Sequence, residues 1–200
     1  MSISVHSGRF CSDRPGTTAG HRIIAANRAA TRILATLLIH GRRGQAGITP
    51  DFSVLEALLS YIDKTVRGVH FAIEESCLAS PLSGLRADLR SKLLQLRRDH
   101  VGTGGYCARM REAIALWRKG APVAPGMYLD NARDHHRLGV THGRLLRNSI
   151  LPAAQASFSP SHWQQVEKAF AKFAGDPLEG CVTRADFDSA VVRLTVPSVP

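Results

Sequence analysis

Acidic residues are scarce in this chain. Against 26 Lys and Arg it sets only 16 Asp and Glu, which leaves a formal net charge of +10 and a pI near 10.2. Such an excess raises nucleic acid or an anionic membrane as partners, because clustered Lys and Arg release counterions from phosphate. The basic residues are scattered along the sequence, and Arg42-Arg43, Arg97-Arg98 and Arg144 with Arg147 are the nearest approach to runs. That spacing reads as solvated helix faces and argues against nucleic-acid binding.

Other absences narrow the class further. Cys11, Cys77, Cys107 and Cys181 form no CxxC pair and no zinc-finger spacing, so they read as reduced thiols of a cytoplasmic protein. The first twenty residues lack the apolar core of a signal peptide, and no run approaches bilayer-spanning length, so no membrane partner is expected. A Ser-His-Asp arrangement, a phosphate-binding glycine loop and an activated cysteine are all missing, which leaves those enzyme classes without support. There are no internal repeats and no strand-like stretch before Val191 to Val196.

What the sequence does have is helical periodicity. Ile23, Ala26, Ala30, Ile33 and Leu37 mark a first amphipathic helix from about His21 to Arg43. Gly41, Gly44, Gly47 and Thr49-Pro50 end it, and Asp51 or Thr49 can cap the next. A second helix, about Pro50 to Ala79, buries Leu55, Leu58, Ile62, Val66, Val69 and Ile73, and Ser80-Pro81 with Ser83-Gly84 then break the chain. The third, about Leu85 to Lys119, carries a heptad seam of Leu89, Leu93, Leu96, His100, Thr103, Cys107, Met110, Ile114 and Trp117. The glycines at 102, 104 and 105 predict a kink or widened turn beside His100. A fourth helix, about Pro125 to Ala156, has the seam Tyr128, Asn131, His135, Leu138, His142, Leu145 and Ser149. Ser159-Pro160 opens a short fifth helix with Trp163, Val166, Phe170 and Phe173 on its apolar side, and a further short helix is possible around Arg184 to Leu194. The expected fold is all-α, an up-down-up-down four-helix bundle with a short fifth helix. Its expected divisions are a flexible arm (1–19), the bundle (20–174) and a tail (175–200).

Four histidines, His70, His100, His135 and His142, fall on the buried stripes of three helices, and Glu74 lies one turn beyond His70 with Glu75 beside it. Antiparallel helices can bring such positions to one level, where imidazole and carboxylate suit iron, manganese or zinc. The alternative is a set of hydrogen-bonded core histidines. His135, about 10 Å along the helix axis from His142, cannot share one site with it unless the helix distorts.

These motifs, in this order, resemble the hemerythrin-like (HHE cation-binding) family. His70-Phe71-Ala72-Ile73-Glu74-Glu75 is similar to the family's second-helix HFxxEE motif, and Asp99-His100 with the following glycines to its third-helix EHxxG. The stretch from His142 to Ala153 resembles its fourth-helix HIxxEExxLFPxA, and the likeness spans residues 21–174. It implies a helical bundle holding non-heme iron, with His70, Glu74, His100 and His142 as ligands and oxygen, nitric oxide or a protein as partner.

Two departures limit that expectation. The family's first-helix EH pair falls on Asn27-Arg28, and its second fourth-helix carboxylate on Leu146, with Arg147 adjacent. A di-iron centre therefore lacks ligands, and one iron, manganese or zinc ion on the remaining four residues is the expected cofactor. The competing expectation is a metal-free regulatory or protein-interaction module in which Arg28 fills the cavity by pairing with Glu74 or Glu75.

Overall fold

The structure is a computed structural model that describes residues 15–171, and every described element is helical. Helix α1 runs Pro15–Gln45. Helix α2 spans 52–85 and changes winding along its length. Phe52–Tyr61 and Ser80–Leu85 are α-helical, whereas Ile62–Phe71 and Glu74–Ala79 take the wider i→i+5 π winding. A 3₁₀ turn, Ala87–Leu89, leads into α3, Arg90–Arg118. Helix α4 spans 124–157, with Ala124–Leu145 and Leu151–Ser157 joined by a π segment, Leu146–Ile150. Helix α5 is Pro160–Ala171. No strand occurs among the described residues. Phe173, the stretch from Arg184 to Leu194 and Val191 to Val196 lie outside them.

Local chemistry accounts for the boundaries. Asp51, rather than Thr49, caps α2, its Oδ1 accepting the Ser53 N–H at 2.8 Å. Gly47 and Gly120 take positive φ, 84° and 78°, just past the ends of α1 and α3, where a residue with Cβ is strained. At α5, Ser159 Oγ accepts the His162 N–H at 3.4 Å and Pro160 occupies the first turn, where its missing N–H costs nothing.

Four expectations are corrected. Helix α1 begins at Pro15, so the helix takes in residues 15–19 of the arm expected over 1–19. Ser80-Pro81 does not break α2, which continues to Leu85 before the chain turns at Arg86 (φ −138°, ψ 80°). The α3 glycines produce no widened turn, since Arg90–Arg118 is α-helical throughout. They serve close approach instead: a Cβ on Gly104 would stand 2.8 Å from the Arg67 guanidinium, and one on Gly102 3.4 Å from Leu138. The widened turns lie in α2 and α4, and two of the three directly precede Pro81 and Pro152. Proline removes an N–H and crowds the carbonyl four residues back, and wider winding relieves both.

The fourth correction concerns the α4 seam. Asn131, Leu138, Leu145 and Ser149 are only partly buried, whereas Leu129, Ala132, Gly143, Leu146 and Ile150 are buried beside Tyr128, His135 and His142. Helix α4 packs along both α1 and α3, so its buried face is wider than a heptad stripe. The α3 seam is buried as its spacing predicts, with Trp117 half-buried at its end.

These helices enclose two apolar clusters. One gathers Ile33, Leu37, Leu58, Met110, Ile114 and Tyr128, and the other Ile23, Leu78, Leu82, Leu96, Ile150 and Trp163. The buried polar residues, including His70, Glu74, Asp99, His100, His135 and His142, belong to neither cluster and sit in the same interior. Burying polar groups costs free energy unless they are paired, so this part of the core demands a built network.

Helix spacing near the first cluster is set by small residues. A Cβ on Gly44 would overlap the Trp117 ring, which is held edge-on by Phe52 at 5.6 Å and tilted against Tyr128 at 5.9 Å. Gly44→Ala is expected to lower stability by about 1–3 kcal/mol despite the gain in helix propensity. Chemical denaturation followed by circular dichroism measures this, and an unchanged or raised midpoint would show that the ring is free to move.

Candidate metal centre

Three helices contribute one donor each to a single point. Glu74 comes from the second π segment of α2, His100 from the middle of α3 and His142 from α4 one turn before its π segment. All three are buried, Glu74 to 4% and His142 to 3% residual exposure. His100 Nε2 lies 2.9 Å and His142 Nε2 3.0 Å from the same oxygen, Glu74 Oε2. One donor atom from each residue falls within 4.8 Å of the other two, and the three could hold a metal ion.

The far side of each imidazole also faces a carboxylate. His100 Nδ1 is 2.9 Å from Glu75 Oε1, and Glu75 Oε2 in turn accepts from Arg97 Nε at 3.1 Å. His142 Nδ1 is 3.5 Å from Asp99 Oδ2, a charge contact rather than a well-aligned hydrogen bond, and Asp99 Oδ1 accepts from Gln95 Nε2 at 2.7 Å. Phe71 stacks on His100 at 4.0 Å between ring centroids and tilts against His142 at 5.4 Å. His100 is thus held by a carboxylate at each nitrogen, His142 by one at Nε2 with a second in charge contact at Nδ1, and Phe71 walls both rings.

Charge follows from this geometry. Burial alone would raise the Glu74 carboxyl, but the charge on His142 and the hydrogen bonds from His100 and His142 outweigh it and hold the group down at about 2. Burial likewise opposes protonation of His142. The Glu74 charge and the contact with Asp99 overcome that and push the imidazole up to about 9. A proton on His142 therefore occupies the position that a cation would take.

A cavity of about 30 Å³ adjoins the centre, enough for about one water molecule or a comparably small ligand. Its polar lining comes from Asn27, His70, Glu74, Thr103, His135 and His142 among others, and Leu34, Ile62, Val66 and Leu138 contribute apolar wall. His135 stacks on Tyr106 at 5.5 Å, and burial pushes its pKa down to about 4, so it is neutral at pH 7.

The structure therefore unites Glu74, His100 and His142 and sets His70 and His135 apart from that point. His70 is buried and lines the cavity, its ring 6.3 Å from that of Phe170, but it contributes no atom to the three-donor group. His70 lies in a π segment of α2, where the winding differs from the α-helical spacing on which the sequence reading rests. Arg28 does not reach Glu74 or Glu75. It is exposed, and Asn27 is the residue of that pair that lines the cavity. Asp99 was not anticipated in the site. The signals for it were its place beside His100 and its four-residue separation from Gln95.

Two imidazoles and one carboxylate, with a second carboxylate behind each imidazole, fit a divalent transition ion. In metal-free protein the same groups set the dependence of stability on pH. His142, raised in the fold, stabilises fully below about 6.5 and loses that contribution as pH rises through about 9. His135, lowered in the fold, destabilises as pH falls from about 6.5 toward 4, and Glu74 loses its contribution between about 4.5 and 2. Chelator-treated protein is expected to be most stable near pH 6.5, with an alkaline limb that flattens in His142→Gln. Urea midpoints across pH test this, and an alkaline limb unchanged in the variant would remove His142 from the account. No protein-family model, no curated protein and no solved structure matches the chain, so the chemistry of this centre must speak for it.

Proposed function

We propose that the chain is a hemerythrin-like cation-binding protein whose helices form an up-down-up-down bundle around one metal ion. Glu74, His100 and His142 are its protein ligands, and the cavity beside them is the place for an exogenous ligand. The observation that carries this reading is the orientation of both histidines, each with Nε2 toward Glu74 and Nδ1 toward a second carboxylate. Carboxylates behind the imidazoles fix ring orientation and raise ligand basicity, the arrangement characteristic of metal-bound histidine.

The donor set selects among metals. Two imidazoles and one carboxylate with positions left open suit ferrous iron better than a closed tetrahedral zinc site. Iron held in this way supplies reversible binding or sensing of a small ligand such as oxygen or nitric oxide. The protein's own residues set the conditions for it. Phe71, Val66, Ile62 and Leu34 keep the cavity largely apolar, while His70 and His135 place imidazoles on its wall. Arg28 is exposed and makes no ion pair with Glu74 among the described residues.

Protein produced with supplemented iron is expected to carry about one metal ion per chain by elemental analysis, and Glu74→Gln, His100→Ala and His142→Ala are each expected to lose it. His70→Ala is expected to retain metal at the same stoichiometry, because its ring lies outside the donor group. Less than about a tenth of an ion per chain in the parent would contradict the reading. So would equal loss from His70→Ala, which would restore a four-ligand set.

A further inference from the structure

Two exposed arginines of different helices meet on the outside of the fold. Arg28 of α1 and Arg147 of α4 line one small pocket between their helices, with Ile24, Asn27, Gly143 and Leu146 completing it. Both arginines are exposed, and neither has an ion-pair partner among the described residues. Several guanidiniums elsewhere on the surface are matched to acid: Arg67 and Arg111 to Asp63, Arg86 to Asp88, Arg97 to Glu75, Arg133 to Asp130 and Arg137 to Asp134. Arg42, Arg43, Arg90, Arg98 and Arg144 are exposed without such a partner among the described residues, and what sets Arg28 and Arg147 apart is the recess they share. Neither of its helices brings acid nearby, since α1 contains no Asp or Glu from 15 to 45 and α4 none from 135 to 157.

The helices that carry the pair are locked at close range. A Cβ on Gly139 would stand 2.6 Å from Leu34 Cδ1, and one on Gly143 would overlap Asn27 Oδ1. The pocket is thus a fixed feature of the α1–α4 seam. Two like charges on residues lining one recess repel each other, and an oxyanion placed between them would replace that repulsion with charge-assisted contacts.

We propose that this pocket is an anion site for a phosphate group, free or as a monoester. A volume of about 10 Å³ admits roughly one oxygen atom, so the ligand sits head-on with any ester substituent outside. Guanidiniums arriving from two helices suit the separate edges of a tetrahedral oxyanion better than the single plane of a carboxylate. Ile24 and Leu146 give the recess apolar sides, which strengthen the charged contacts by excluding water. Asn27 lines both this pocket and the interior cavity, so the anion site and the proposed metal centre share a wall. The anion site itself does not depend on metal.

Calorimetric titration of metal-free, full-length protein with inorganic phosphate and with glycerol phosphate, at constant ionic strength, tests the proposal. One saturable site per chain is expected, weakened about tenfold or more by Arg28→Gln and by Arg147→Gln. Arg133→Gln, which removes a paired surface arginine, is expected to leave it unchanged. Circular dichroism and thermal midpoints without phosphate establish that the variants fold, and Arg28→Lys should recover part of the affinity. Preference for glycerol phosphate over the free ion would identify a monoester as the ligand, and the reverse the free ion. Absence of saturable binding, or equal weakening by Arg133→Gln, would overturn the proposal. Tight, salt-sensitive binding of a DNA duplex that survives both glutamine variants would overturn it too, in favour of a diffuse basic surface.

Discussion

The structure depends on one buried carboxylate oxygen. Glu74 Oε2 lies within hydrogen-bonding distance of imidazoles from α3 and α4 at once, so α2, α3 and α4 are joined at a point inside the core. A carboxylate this deeply buried is tolerated only when paired and hydrogen-bonded, and removing one partner of such a set costs more than the set contributes as a whole. The arrangement is therefore poor as a device for stability alone. Its two imidazoles and one carboxylate are placed so that they could hold a cation.

Around that oxygen the network extends in both directions. On one side it passes through His100 to Glu75 and Arg97, and on the other through His142 to Asp99 and Gln95. Each imidazole has a carboxylate beside both of its nitrogens, an orientation of the kind that preorganises a binding site. The charge on protonated His142 offsets those of Glu74 and Asp99. A metal ion would displace that proton, and the same carboxylates would then neutralise the metal.

Much of this was legible in the sequence, and the limits have physical causes. The α3 seam could be read because a four-three spacing of large apolar residues leaves one possible buried face, and His100 lies on it. The stripes left metal ligands and core histidines both open, and the expected group of His70, Glu74, His100 and His142 came from the hemerythrin-like resemblance; three of its four members converge. The π segments could not be read, because i→i+5 winding leaves no compositional mark apart from Pro81 and Pro152 just downstream, and with them went the position of His70. The outward course of Arg28 was hidden for a simpler reason. Neighbouring helix residues differ by about 100° in direction, so a small rotation of α1 brings Asn27 to the cavity and turns Arg28 to solvent. That rotation keeps a guanidinium away from the centre and brings it instead beside Arg147.

The central claim is that Glu74, His100 and His142 bind one metal ion. Anomalous diffraction at the absorption edge of iron, from crystals of iron-loaded protein, tests it most directly. The account predicts a single peak about 2.0–2.2 Å from Glu74 Oε2, His100 Nε2 and His142 Nε2. A map with no peak there, or with its strongest peak at other residues, would contradict it.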